Sequence, residues 1–341
     1  MTDDLDLLRA FRADQALPPS PAGRAAARRA RDARIGRARP SRARGRRPLM
    51  AFGLAAATAA AAAIAITTGV DSGRVAPAPA AAREALARAA QAAEHASGYS
   101  VPRDDQYFYV HSEGRNLSTA VANGGSYSLL ERRDRRVWLS VGHESILHTH
   151  TVGEPEFLTP KDRSEAQRIG GLSQSGGNPP ETLGRQKWLV GSRTFTGAEL
   201  RAYDPSPKEL YDDLLSRVGS AGSSPTAEVF VLITDALREQ PATPALRATF
   251  FRALAYVPGL EFGGATKDRM GRAGVAITYT ENQTRHELIF DPDTSQVLSE
   301  RDVIVKPFSG IRAKAGQVIG DVVYLERKVV DSAPAQGLTA P

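Results

Sequence analysis

Three kinds of apolar pattern divide this chain. The first is continuous: from Leu49 to Val70, apolar and small residues run for twenty-two positions without a charge. As a helix this stretch would reach roughly 33 Å, enough to cross the hydrocarbon core of a bilayer. The second has the three-and-four spacing of amphipathic helices. Residues Asp3 to Gln15 form a short one, with Asp3, Asp4 and Asp6 at its start, Leu5, Leu8 and Phe11 on one side, and Leu17-Pro18-Pro19 as the stop. Ala80 to Ser97 forms another, turning Leu86, Ala89, Ala90 and Ala93 to one face, with Gly98 as its terminator. Three more follow Asp204-Pro205-Ser206-Pro207, Ser224-Pro225 and Thr243-Pro244. Each opens on an N-cap residue followed by proline at the first helical position, and Pro258-Gly259 ends the last.

The third pattern is that of strands. Gln106–His111, Ser126–Glu131, Arg136–Val141 and Ser145–Val152 are short runs rich in Tyr, Val, Leu, Trp and Ile, parted by glycine and charged residues. Val137, Leu139 and Val141 alternate with Arg136, Trp138 and Ser140, as in a sheet with one covered face. Strands return at 260–262, 274–280, 285–291, 296–305 and 317–330, with hairpin turns at Glu281-Asn282-Gln283-Thr284 and Pro292-Asp293-Thr294-Ser295. Between the blocks, Glu154 to Glu181 is polar and rich in Gly and Pro and reads as a mobile surface loop. Strands, then helices, then strands predict an α+β domain: an antiparallel sheet with helices packed on one face, half-barrel-like.

Charge supplies the topology. Between Arg24 and Arg47 lie eleven arginines against the single acid Asp32, whereas Val70 is followed only by Asp71 and Arg74 before the Pro77-Ala78-Pro79 linker. Positive charge stays cytoplasmic, so the N-terminus is expected inside and the large C-terminal part outside, in the cell membrane as a single pass. The expected division is a disordered cytoplasmic Arg-rich arm with its short helix (1–48), a transmembrane helix (49–70), a linker (71–80), an extracytoplasmic α+β domain (81–330) and a disordered tail (331–341). A cleaved signal sequence, leaving a secreted protein, is the rival reading of the apolar span, and Arg46-Arg47 offers a loose twin-arginine pair. The arm carries +8 of the net +6, leaving −2 for everything else. Without aromatic interleaving or a helix-turn-helix pattern, that arm fits anionic lipid headgroups and not nucleic acid. The absence of cysteine removes disulfides, thiol catalysis and cysteine-ligated zinc.

Candidate chemistry is sparse. His143, His148 and His150 are the one histidine cluster, and with Glu144, Glu154 or Glu156 they raise the question of a metal; histidines on a polar strand edge are more often surface residues, and no metal site is assigned. Asp291 and Asp293 sit in a turn, where Asp bonds to the backbone, so no catalytic carboxylate pair is assigned. Gly124-Gly125 and Gly263-Gly264 lack the spacing and lysine of a phosphate loop, and no nucleophile elbow or zincin helix is present. Neither catalytic residues nor a cofactor are expected, and the chain is not read as an enzyme. Tyr107 and Tyr109 share a strand face, which could contact a ligand. Leu5, Leu8 and Phe11 could dock on a cytoplasmic partner.

Several stretches resemble a family of single-pass membrane proteins from actinobacteria. They are the acidic Asp-Asp-Leu-Asp-Leu-Leu-Arg-Ala-Phe-Arg start, the Arg-rich arm, the Ala-rich span, the QYFYV strand, Pro244-Ala245-Leu246-Arg247, and 253–259 (ALAYVPG). The similarity continues through 268–276 (DRMGRAGVA), 288–292 (LIFDP), Tyr324-Leu325-Glu326 and Val329-Val330-Asp331-Ser332. That family has no established activity, and its members are often encoded beside extracytoplasmic-function sigma factors. The resemblance therefore implies a regulatory or sensory protein, anchored in membrane lipid, whose partner is a cytoplasmic regulator such as a sigma factor. This sequence lacks the His/Cys motif of zinc-binding anti-sigma domains. More loosely, the sheet-plus-helices pattern is similar to the half-barrels of periplasmic lipoprotein carriers, which implies the alternative: a membrane-tethered domain that binds lipid or another apolar ligand.

Overall fold

Helix signals and strand signals occupy separate blocks of the chain, and the architecture follows them. The computed structural model describes residues 78–96, 100–122, 125–169, 179–218, 224–307 and 311–334. All fall within one of the chain's two units, Gly53–Pro341. The expected helix at 3–15, the Arg-rich arm, the apolar span at 49–70 and most of the 331–341 tail lie outside the described residues. Among the described residues, no helix is long and apolar enough to cross a membrane.

In chain order the elements are α1 (Ala80–Glu94), β1 (Tyr107–Ala122), β2 (Gly125–Leu139), β3 (Ser145–Thr151), β4 (Glu156–Phe157), α2 (Pro160–Ile169) and β5 (Glu181–Gly184). There follow β6 (Trp188–Val190), β7 (Arg193–Phe195), α3 (Gly197–Ala202), α4 (Pro207–Arg217), α5 (Pro225–Glu239) and α6 (Pro244–Leu254). The chain closes with β8 (Leu260–Lys267), β9 (Ala273–Glu281), β10 (Thr284–Phe290), β11 (Val297–Ile304) and β12 (Val318–Val330). One ten-stranded sheet runs in the order β5-β3-β2-β1-β12-β11-β10-β9-β8, with β4 beside β2; β6 and β7 form a separate pair. Every pairing is antiparallel. The first strand lies against the last, so the two meanders join along β1 and β12.

The fold is therefore α+β, a large antiparallel sheet with helices on one face. The capping signatures do what the sequence implies: Ser206, Ser224 and Thr243 each accept a bond from the backbone N–H three residues on, with Pro207, Pro225 and Pro244 just inside. α1 buries Leu86, Ala89, Ala90 and Ala93, mainly against α6. Phe251 of α6 meets Phe290 of β10 at 5.2 Å between ring centroids, and Phe230 of α5 stacks on Tyr279 of β9 at 5.6 Å. Those rings mark the helix-covered face. At the Glu281–Thr284 turn, Asn282 and Gln283 take φ of 47° and 72°, as a two-residue hairpin requires.

Three sequence expectations change. Arg132 to Arg135 is not a turn between two strands but the middle of β2, which pairs with β1 along its whole length. A charged run persists there because its charges are answered: Arg133 by Glu131 at 3.1 Å, Arg135 by Glu239 at 3.0 Å and Arg136 by Asp134 at 3.0 Å. Residues 154–181 are not all loop, since they contain β4, α2 and the start of β5. The Asp162 side chain is fully buried there. It accepts from Ser128 N at 3.0 Å and from the Thr159 hydroxyl, and it pairs with Arg312, fastening α2 beneath β2. Finally, α1 stops at Glu94, before Gly98, with His95 as its C-cap and His95 Nδ1 bonded to Gln91 O at 2.8 Å.

Candidate functional site

Strand alternation places a row of ionisable groups where hydrocarbon is the rule. In β11 the run Ser299-Glu300-Arg301-Asp302 sends Glu300 and Asp302 to the helix side and Arg301 to the other. Glu300 meets Arg238 of α5, which also pairs with Asp235. The Tyr324 hydroxyl, from β12, donates to Glu300 at 3.3 Å and accepts from Arg238 Nη1 at 3.3 Å. The next residue of α5, Glu239, takes Arg135 of β2. On the next strand His286 Nδ1 lies 2.6 Å from Asp302, and Gly320 leaves that carboxylate room: a Cβ there would sit 2.9 Å from Asp302 Oδ2. This part of the helix side keeps some contact with solvent, the side chains of Glu300, His286 and Asp302 being 22%, 34% and 39% exposed.

The electrostatics follow from that crowding. Burial pushes the Glu300 carboxyl up to about 7; Arg238 opposes the rise, while Asp235, Asp302 and Glu239 add to it. Burial works against the Arg238 charge, yet Asp235, Glu300, Tyr324 and Glu239 together hold it well above its ordinary value. Burial likewise keeps the Tyr324 phenol protonated far past the usual range. For His286, desolvation disfavours the cation, but the adjoining Asp302 carboxylate outweighs it and raises the pKa.

Beside this row the sheet splits. β11 and β12 are paired from Ser299↔Val323 to Val303↔Val318, and past Val323 the two strands separate. Guanidinium groups bridge the gap: Arg272 donates to Tyr324 O at 2.9 Å and to Leu298 O at 2.8 Å, and Arg327 donates to Val297 O. Arg272 is aimed from the β8–β9 hairpin tip by Asp268, whose side chain is fully buried and accepts from Met270 N and Arg272 N at 2.9 Å each and from Arg272 Nε at 2.6 Å. Gly271, at φ 81°, allows the tight return of that tip. On the side away from the helices, the neighbouring Arg269 reaches Glu113 and Asp321, each at 3.3 Å. In the split lies an open groove of about 530 Å³. It is lined by Ala92, His95 and Ala96 at the α1 end, by Asp293, Thr294 and Gln296 before β11, and by the β12 segment from Tyr324 to Arg327.

The residues singled out from sequence lie elsewhere. Tyr107 stacks on His143 at 5.5 Å and Tyr109 packs on Trp138 at 4.9 Å, with Lys328 Nζ 5.5 Å from the Tyr109 ring centroid. They sit on the sheet face turned away from the helices and do not line the groove. His148 and His150 are 5.4 Å apart, on the same face. Their carboxylate neighbour is Asp134, itself 2.7 Å from His111, a histidine the sequence pattern did not connect to them. Burial, His150 and Arg136 lower the His148 pKa. Among the described residues no group of three or more His, Cys, Asp or Glu is placed to hold a metal ion. Asp291 serves its turn, accepting from Asp293 N and the Thr294 hydroxyl at 2.8 Å each. Leu5, Leu8 and Phe11 lie outside the described residues. Sequence reasoning missed Glu300, Arg238 and Tyr324. The signal was available in two acids at i and i+2 of a strand between two apolar neighbours, which demands buried counter-charges.

Neither a protein-family model nor a curated protein sequence matches the chain. Among solved structures it is similar to a LolA superfamily protein from Nitrosomonas europaea, at 9% identity over 72% of this chain and 92% of that one, with a TM-score of 0.16. An overlap that loose does not bear on what this chain binds.

Proposed function

We propose that this chain is a membrane-tethered extracytoplasmic binding protein that seats an amphiphilic small molecule in the groove between α1 and the split of β11 from β12. In this reading the sheet acts as a half-barrel around α5 and α6, and the groove is its mouth. The observation that carries the reading is the groove itself. Its volume, about 530 Å³, falls in the range of small-molecule sites. Ala92, Ala96 and Leu325 supply apolar surface for a hydrocarbon or ring body, and His95, Glu326 and Arg327 supply polar groups for a head. The test uses 1-anilinonaphthalene-8-sulfonate, whose sulfonate does not titrate near neutral pH, by calorimetry on the full chain in lipid nanodiscs, with empty nanodiscs as the blank. Ala92→Trp fills the groove from the half-buried last turn of α1 and is expected to weaken binding about tenfold or more, roughly 1.4 kcal/mol. Undiminished binding by that variant overturns the site.

The tether and the cytoplasmic arm belong to the same proposal. The uncharged run from Leu49 to Val70 and its arginine flank support an anchor with the N-terminus inside. The Leu5, Leu8 and Phe11 stripe supports docking on a cytoplasmic regulator such as a sigma factor. An alkaline phosphatase fused after Pro341 is expected to be active, and Leu8→Asp with Phe11→Asp to lose sigma-factor capture; an inactive fusion or unchanged capture removes the corresponding part.

A further inference from the structure

The hairpin of β1 and β2 changes character along its length. From Glu131 to Arg136 β2 is charged at every position, whereas between Arg115 and Glu131 the chain carries no charge at all. The uncharged end also projects. β12 accompanies β1 only as far as Asn116, and β4 and β3 accompany β2 only from Leu129 onward, so among the described residues the pairs from Thr119↔Ser128 to Ala122↔Gly125 have no further strand beside them. The ribbon is braced by α2 instead, in a cluster of Tyr127, Leu129 and Ala166 with Ala120, Phe157 and Ile169. Near its end Val121 is 79% exposed, more than any other large apolar residue described.

Cations surround that tip. Gly125 lies against the Arg168 guanidinium, which a Cβ there would strike, and Arg312 Nη1 donates to Ser126 O at 3.0 Å. The Arg163 guanidinium sits 5.1 Å from the centroid of the Phe157 ring, which in turn packs on Tyr127 at 6.3 Å. Arg168 pairs with Glu165 and Arg312 with the buried Asp162, but Lys161 and Arg163, both exposed on α2, have no carboxylate within ion-pair distance among the described residues. We propose, resting on the tethered reading above, that this tip is a second point of contact with the membrane: Val121 enters the headgroup region, and Lys161, Arg163, Arg168 and Arg312 meet anionic lipid. Shape and charge both select that occupant. A stable protein partner needs about 1,000 Å² of matched surface, which a convex two-stranded tip with one protruding apolar side chain does not offer. A lipid surface deforms around such a tip, and each cation held near an anionic leaflet adds to the attraction.

The experiment exploits the absence of cysteine: Val121→Cys gives one site for a nitrobenzoxadiazole label on the full chain. The labelled chain is placed in nanodiscs of phosphatidylcholine alone or mixed with phosphatidylglycerol, both containing a lipid with a nitroxide on its acyl chain. The label is expected to be quenched about twofold or more in the anionic discs and hardly at all in the neutral ones. Lys161→Glu with Arg163→Glu changes only exposed side chains and is expected to abolish that difference. Equal quenching in the two kinds of disc, or a difference that survives the charge reversal, overturns the contact and leaves the tether standing. A chain that co-elutes with neither kind of disc overturns the tether and the contact with it.

Discussion

Replacing Asp268 by Ala is expected to destabilise the domain by about 2–3 kcal/mol, below the range for a fully buried ion pair because the Arg272 side chain left behind is 34% exposed. The reason lies in how many groups this one carboxylate satisfies. Two backbone N–H groups, Met270 and Arg272, and the Arg272 guanidinium all end on it, and its side chain has no exposure to water that could substitute. The loss also reaches further than the turn. Arg272 is the brace across the split between β11 and β12, bonded to Leu298 O and Tyr324 O, and without Asp268 its aim is no longer fixed. Denaturant unfolding of the full chain checks the magnitude. Asp268→Asn keeps an acceptor for the backbone donors and is expected to lose less. A change below about 1 kcal/mol in Asp268→Ala would mean that the tip is not held as described.

The second large effect depends on pH, and its sign follows from Glu300. The folded protein holds this carboxyl at about 7 against an ordinary value of 4.5, so the native state binds the proton more tightly than the unfolded chain. Stability contributed by that proton is fully present below the ordinary value and is lost as pH rises through about 7. Integrated over the gap, the loss is about 3 kcal/mol at roughly 1.4 kcal/mol per pKa unit. Glu300→Gln does not ionise and escapes it. Relative to wild type, the variant is therefore expected to gain about 3 kcal/mol between acid and mildly alkaline conditions. Urea unfolding across that range measures the difference. A pH-independent difference between the two proteins would show that Glu300 keeps an ordinary carboxyl.

The architecture was legible where local signals agreed with the tertiary outcome. Ser206-Pro207, Ser224-Pro225 and Thr243-Pro244 each began a helix because cap and proline act within one turn. Thr159-Pro160 carries the same signal and begins α2, but it lies among Gly- and Pro-rich residues whose composition is that of a loop. The middle of β2 was hidden for a different reason. Arg132 to Arg136 is charged at every position, and whether such a run is turn or strand depends on partners as far as a hundred residues away, such as Glu239 for Arg135. The candidate site was less legible than the fold. The stretch from Asp268 to Arg272 stood out only through a family resemblance, because its job, bridging two strands that part, exists only in three dimensions. Tyr107 and Tyr109 stood out as aromatic strand residues and were correctly placed on one face, yet that face is remote from the groove.

The pairing of Tyr107 with Val330 and of Asn116 with Gly320 has a consequence for how the polypeptide must be made. The seam through the centre of the sheet closes only when the thirteen residues of β12 have left the ribosome. Until then β1 and β11 wait with bare edges, and the loop to be closed spans most of the molecule, which slows assembly. Completion of the sheet is thus a late, all-or-nothing event, and a nascent chain cut short before Val318 would be left with two open halves that invite aggregation.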